Sequence, residues 1–263
     1  MLRTITTKIL YEKRWMLLFW SAGLFFTTWL TLLFYPMFSQ GGLAEALQKL
    51  PPQLQALVGS EALKSVGGYI DNEILAMRLP LMTIIMSIAL FVGLTAGNEE
   101  RGTLQTLLAL PVSRGRVMAE TFLAGCIILA IACASVWLGL VLALANIHES
   151  YSLMRLVAAT ANLWFVTVAF GGLAFAVGAV TGRKGLTIGI ASVVAFGSFF
   201  FSTFSETVSG LKGFGSATLF HYYTSSNVAV RGIDWTDLGV MALAILAAFA
   251  VGIVGFNRRD LQN

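Results

Sequence analysis

The densest group of chemically capable side chains in this sequence is Asn98-Glu99-Glu100-Arg101. Gly102, Thr103 and a leucine pattern at Leu104, Leu107 and Leu108 follow it directly. The chemistry on offer is charge and hydrogen bonding: two adjacent carboxylates and a guanidinium, set just ahead of an apolar stripe. The three leucines fall at i, i+3 and i+4, which places them on one face of a short helix. Gly102 and Pro111 bracket that helix. Glu99 and Glu100 precede it, where negative charge suits the N-terminal end of the dipole. Pro111 ends it, and Ser113 is placed to cap whatever helix comes next. The pattern alone admits two readings: a helix whose leucines rest among lipid headgroups, or a helix whose leucine face another protein grips.

Nothing around this group points to catalysis. The two histidines, His148 and His221, stand far apart in the chain. The two cysteines, Cys126 and Cys133, share one apolar run about two helical turns apart, too far for a mutual disulfide and suited to being small buried residues. There is no G-x-x-x-x-G-K-[ST] phosphate loop, no H-E-x-x-H, no G-x-S-x-G and no Cys/His cluster with metal spacing. The chain is therefore expected to hold no catalytic residue, metal or cofactor of its own.

The elements that must position the cluster are apolar. Hydrophobic residues make up 57% of the 263 and charged ones only 11%, whereas soluble domains carry about 25% charge. Six runs reach the roughly 20 apolar residues that a spanning helix needs: Trp15–Phe38, Ala76–Ala96, Val117–Ala145, Leu153–Thr181, Leu186–Phe204 and Leu238–Phe256. The expected fold is an all-α integral membrane protein with six transmembrane helices in one domain. With the N-terminus cytoplasmic, Arg3, Lys8, Lys13, Arg14, Arg101, Arg114, Arg116, Arg183, Lys184, Arg258 and Arg259 lie inside, eleven of the 17 Lys and Arg. The excess fits both termini being cytoplasmic. It also explains the net charge of +4 without nucleic acid. No ionisable residue sits in the middle of a span, whereas ion-coupled carriers rely on such groups. The driving energy is expected from elsewhere.

Residues 1–14 read as an interfacial helix, with Leu2, Ile5, Ile9 and Leu10 on one side and Arg3, Lys8, Glu12 and Lys13 around them. The run after it is spanning length and lacks an A-x-A site, so it reads as a retained first helix. Residues 39–75 form a large outer loop with two short amphipathic helices broken by Pro51 and Pro52. Residues 205–237 form a second outer loop, glycine-rich and then aromatic at "FHYY", with Gly210, Gly213 and Gly215 allowing a re-entrant turn. Small residues recur at Ala174, Gly178 and Gly182, and at Gly185 and Gly189, which lets helices approach closely. The scarce polar groups within spans are Thr27, Thr28, Thr31, Ser87, Thr95, Ser135, Thr160, Asn162 and Thr167. Of these, Thr27, Thr31, Ser87 and Asn162 are the candidates for lining a pathway. So mild a set favours an amphipathic or lipid-like cargo (drug, antibiotic, peptide or lipid) over an ion.

The stretch "NEERGTLQTLLALPVSRGRVMAET" resembles the permease subunits of ABC-2 type transporters, whose second and third spans are joined by an acidic pair, a basic residue, Gly, Ser/Thr and Leu, then "LLxLPVSR". Glu99 to Leu104, Leu107, Leu108 and Leu110 to Arg114 match in order. The likeness extends to the six-span layout, the basic N-terminal segment and the C-terminal "FNRRDLQN". It implies a type V exporter-like transmembrane domain in the cytoplasmic membrane of a bacterium or archaeon. It implies that Glu99, Glu100, Arg101, Gly102, Thr103, Leu104, Leu107 and Leu108, within loop 97–116, form a coupling helix docked on a separate ATPase. Two ATPase copies would hold the ATP and Mg, and a second permease chain, identical or similar, would complete the conduit. The competing classes are a secondary carrier or channel without an ATPase, and an integral membrane enzyme or assembly factor.

Overall fold

The computed structural model describes residues 4–40, 65–103, 113–204, 218–224, 228 and 232–259. Among them every regular element is helical: α1 (Ile5–Glu12), α2 (Arg14–Leu33), α3 (Tyr35–Gln40), α4 (Val66–Tyr69), a π-helical turn (Ile70–Leu75), α5 (Arg78–Leu94), α6 (Ala96–Glu100), α7 (Arg114–Ile147), α8 (Leu153–Thr181), α9 (Lys184–Phe204), α10 (Leu219–Thr224) and α11 (Trp235–Arg258). Six helical columns are long and apolar enough to cross a membrane: Arg14–Met37, Val66–Glu100, Arg114–Ile147, Leu153–Thr181, Lys184–Thr203 and Trp235–Arg258. The all-α, six-span architecture expected from the apolar runs is the one observed.

The second column departs from its sequence reading. Residues 66–75, read as part of the outer loop, continue the column as α4 and the π-turn despite carrying Asp71, Asn72 and Glu73. Ser65 starts α4 by accepting from Gly68 N at 3.1 Å. The column breaks at Met77, which has left helical geometry (φ −134, ψ −54). Pro80 explains the break, because a proline ring clashes with the carbonyl four residues earlier and offers no N–H. A second bend falls at Thr95 (φ −106, ψ −99), whose Oγ1 donates to Phe91 O at 2.7 Å. The proposed short helices within 41–64 lie outside the described residues.

At the centre, α8 packs against α5, α7, α9 and α11. Phe91, Phe122 and Phe175 form one aromatic cluster there, with ring centroids 5.0–5.9 Å apart. Side-chain approach is closest at glycines: a Cβ at Gly171 would overlap Ser87 Oγ and the Phe91 ring, and one at Gly252 would overlap the Phe175 ring. Thr167 Oγ1 donates to Leu163 O and lies 2.8 Å from Thr83 Oγ1, while Ser87 Oγ donates to Thr167 O at 2.8 Å. These hydroxyls join α5 to α8 without charge.

The ends of the columns define two faces. The starts of α1, α7 and α9 meet the ends of α6, α8 and α11 on one face, which also carries both termini of the described chain. On the opposite face, Tyr69 Oη donates to Thr31 O at 3.0 Å and Tyr223 Oη to Leu75 O at 2.7 Å. Tyr223 O in turn accepts from Asn162 Nδ2 at 3.2 Å. Asn162 lies nine residues inside α8, about 13 Å from its Leu153 end at the usual helical rise. The short α10 therefore packs between the columns, with Phe220 and Tyr223 buried.

Candidate functional site at the termini face

Ala96–Glu100 runs on from α5 as α6, and Gly102 ends it in the left-handed region (φ +70), its N–H bonded to Glu99 O at 2.9 Å. The acidic pair thus closes one helix rather than merely standing ahead of the next. Thr103 is half-buried. Leu104, Leu107 and Leu108 lie outside the described residues.

Each charged member of the cluster has a partner within the chain. Glu99 forms an ion pair with Arg259 Nη2, and both side chains are largely buried, 12% and 19% exposed. Glu100 Oε1 accepts from the backbone N–H of Lys184, the first residue of α9, at 3.0 Å. Arg101 Nη2 donates to Asn98 Oδ1 at 3.0 Å and to Gly93 O at 3.2 Å. Lys13, at the elbow between α1 and α2, sits beside the same Gly93. Burial, and then the Arg101 guanidinium, hold the Lys13 ammonium below its ordinary range against the smaller pull of Glu12.

The third column begins where Ser113 Oγ accepts from Arg116 N at 3.3 Å. Its Glu120 reaches a partner too: the carboxylate accepts from Ile5 N at 2.7 Å and Thr6 N at 3.4 Å, and pairs with Arg116 Nε at 2.9 Å. A carboxylate at a helix N-terminus satisfies orphan N–H groups and complements the dipole. Glu120 therefore anchors α1. Gly182 reads in the sequence only as one of a stripe of small residues. Arg259 reads there only as one of the inner positive charges. Its partner is 160 residues away in sequence, so no local spacing announces the pair.

The candidate pathway groups do not converge. Ser87 and Asn162 are buried and bonded between elements, as above. Thr31 lies at the opposite-face end of its column and accepts from Arg78 Nη1 at 3.3 Å. Thr27 is half-buried on α2. Thr28, Thr95 and Thr160 donate to carbonyls of their own helices, the ordinary use of a hydroxyl within lipid-depth helices. Asn162, with Asp71, Tyr223 and Thr224, lines a small pocket near the opposite face, and a larger open groove, about 460 Å³ between α7, α8 and α11, is apolar, lined by Phe122, Leu123, Trp164, Ile245, Leu246 and Phe249 among others.

Among the described residues no group of His, Cys, Asp or Glu has metal-binding geometry. A family model described as ABC-2 family transporter protein matches residues 4–261. No curated protein matches the chain.

Proposed function

The chain belongs to the ABC-2 transporter family and is a multi-pass membrane permease subunit, and from that premise we propose that it forms, with a second permease chain, the export pathway for an amphipathic or lipid-like substrate. Hydrolysis belongs to two copies of a separate ATPase, which hold ATP and Mg and dock on loop 97–116. The termini face is cytoplasmic, in the inner membrane of a bacterial or archaeal cell.

One observation carries this reading: the segment that opens the loop is fastened to two other columns and folded back on its own. Glu99 reaches the end of α11, Glu100 reaches the start of α9, and Arg101 ties back to α5. A loop so fastened can hand a push from a docked protein to the spans, whereas a surface loop would swing freely. The uncharged middles of the spans and the apolar groove suit a cargo with an apolar part.

The test is capture. An ATPase encoded beside this gene, co-expressed with the permease, should co-purify with wild type and be lost with Leu107→Glu, which puts a charge on the leucine face. Gly102→Pro should weaken capture as well, since proline cannot adopt the positive φ of that turn. Equal recovery of the ATPase by all three proteins would overturn the docking assignment.

A further inference from the structure

Arg259 has left the α11 helix and adopts extended backbone (φ −94, ψ 134). From there its guanidinium makes two contacts: Nη2 pairs with Glu99, and Nη1 donates to Ala179 O at 3.3 Å. Its own carbonyl accepts from Arg114 Nη1, the start of α7, at 3.1 Å. Ala179 is in the last turn of α8, where carbonyls lack partners within the helix. Lys184 N, at the start of α9, lacks one for the same reason and receives Glu100. The break between α8 and α9 is thus satisfied from outside on both sides, by a cation at a helix C-terminus and an anion at a helix N-terminus. Both signs complement the dipoles.

The turn is shaped for this. Gly182 closes α8 at φ +63, and a Cβ there would run into the Arg259 guanidinium and Glu99 Oε2. Packing below keeps α11 at this distance: a Cβ at Gly255 would overlap the Val180 side chain, and Phe256 is 1% exposed.

We propose that Arg259 is a positioning residue for energy coupling. It locks Ala96–Gly102, the Thr181–Lys184 turn, the start of α7 and the end of α11 into one rigid unit, so that a push on the docking loop moves five columns together. The push rests on the docking reading above; the lock does not. Without Arg259 the buried Glu99 carboxylate is left uncompensated, and the segment carrying Glu100 loses its hold on α9.

Amide hydrogen exchange on the full chain in nanodiscs tests the lock, first without an ATPase. Arg259→Ala should speed exchange about tenfold in both 96–102 and 181–187, as expected when one cooperative unit opens. The α1 amides of Ile5 and Thr6, held by Glu120, should not change. The exchanged pair Glu99→Arg with Arg259→Glu should restore slow exchange in 96–102 but not in 181–187, because a carboxylate at 259 cannot donate to Ala179 O, and Arg259→Lys should restore part of it in both. Exchange that rises in only one segment of Arg259→Ala, or an exchanged pair no slower than the single variants in 96–102, overturns the lock. With the ATPase bound, wild type should gain protection through 181–187 and 256–259 as well as the loop, and Arg259→Ala only in the loop. Protection confined to the loop in wild type overturns the transmission. Failure of wild type to capture the ATPase sinks the docking reading alone, and the measurements on the free permease still decide the lock.

Discussion

The second and fourth columns differ sharply from the fifth. In each of the former, 72% of the most apolar stretch is buried inside the chain; in the fifth it is 17%. Hydropathy does not distinguish them, at 2.2 and 2.1 against 1.8. What does is how their small residues are used. Gly171 and Gly178 on α8 press against Ser87, Phe91 and Thr95 of the second column, leaving no space for a Cβ. Gly185, Gly189 and Gly197 on α9 have nothing within 4 Å of that position. A run of apolar residues with small ones at intervals of four thus serves two ends: close packing within the chain, and a surface left for lipid or for another helix. The first stripe makes the rigid pair α5–α8 on which the termini-face lock is mounted, and the second stays on the outside.

The strongest way to break this contrast is to add volume to the inner stripe. Gly171→Val drives two methyls into Ser87 and Phe91, both fully buried. It should cost about 3 kcal/mol or more, the upper range for overpacking a core, seen as a lowered thermal midpoint and loss of the monodisperse peak in detergent. A variant as stable as wild type would mean that α5 and α8 are not packed this closely.

A finer probe keeps volume and removes polarity. Thr167→Val deletes a hydroxyl that bonds Leu163 O and Thr83 Oγ1. Because Thr83 Oγ1 still has Pro80 O as acceptor, no donor is stranded. The loss should be about 0.6 kcal/mol, the usual scale for a hydrogen bond between membrane helices, read from reversible unfolding. A loss several times larger would show that Thr167 joins the two columns through more than this bond.

The sequence carried the six spans and the position of the charged cluster because each is written locally, in apolar run length and in neighbouring polar residues. It also marked Ser113 as a cap through its place after Pro111. Three features were not legible for one shared reason: they depend on partners remote in sequence. Asp71, Asn72 and Glu73 look like loop residues, yet Tyr69 bonds to Thr31 and Tyr223 to Leu75, tying that stretch into the helical column. Arg258 and Arg259 look alike as inner positive charges, and only the fold gives the second a buried carboxylate. Ser87 and Asn162 look like pathway groups because hydroxyls and amides are rare in lipid, and periodicity does not say whether they face a lumen or a neighbouring helix. The twelve-residue stretch from Gly171 to Gly182 shows the same limit. Its small residues mark close approach, but not that the partner is Thr95 for Gly178 and Arg259 for Gly182.

The smallest effect on the single chain should come from the outer stripe, and it sharpens the comparison most. Gly189→Leu adds a side chain where nothing stands within 4 Å and replaces a poor helix former with a good one. Unfolding of the monomer should shift by no more than about 0.5 kcal/mol, the range for a substitution that meets no neighbour. If α9 is a face on which a second permease chain rests, the same substitution should weaken self-association, measured by energy transfer between labelled permeases in liposomes at increasing dilution. Gly23→Leu on α2 is the control, because it too meets open space but on another column. Weakened pairing by Gly189→Leu and not by Gly23→Leu would give the outer stripe a helix as its partner. Equal pairing in both would leave that stripe to lipid, and a monomer destabilised as much as by Gly171→Val would remove the distinction between the stripes altogether.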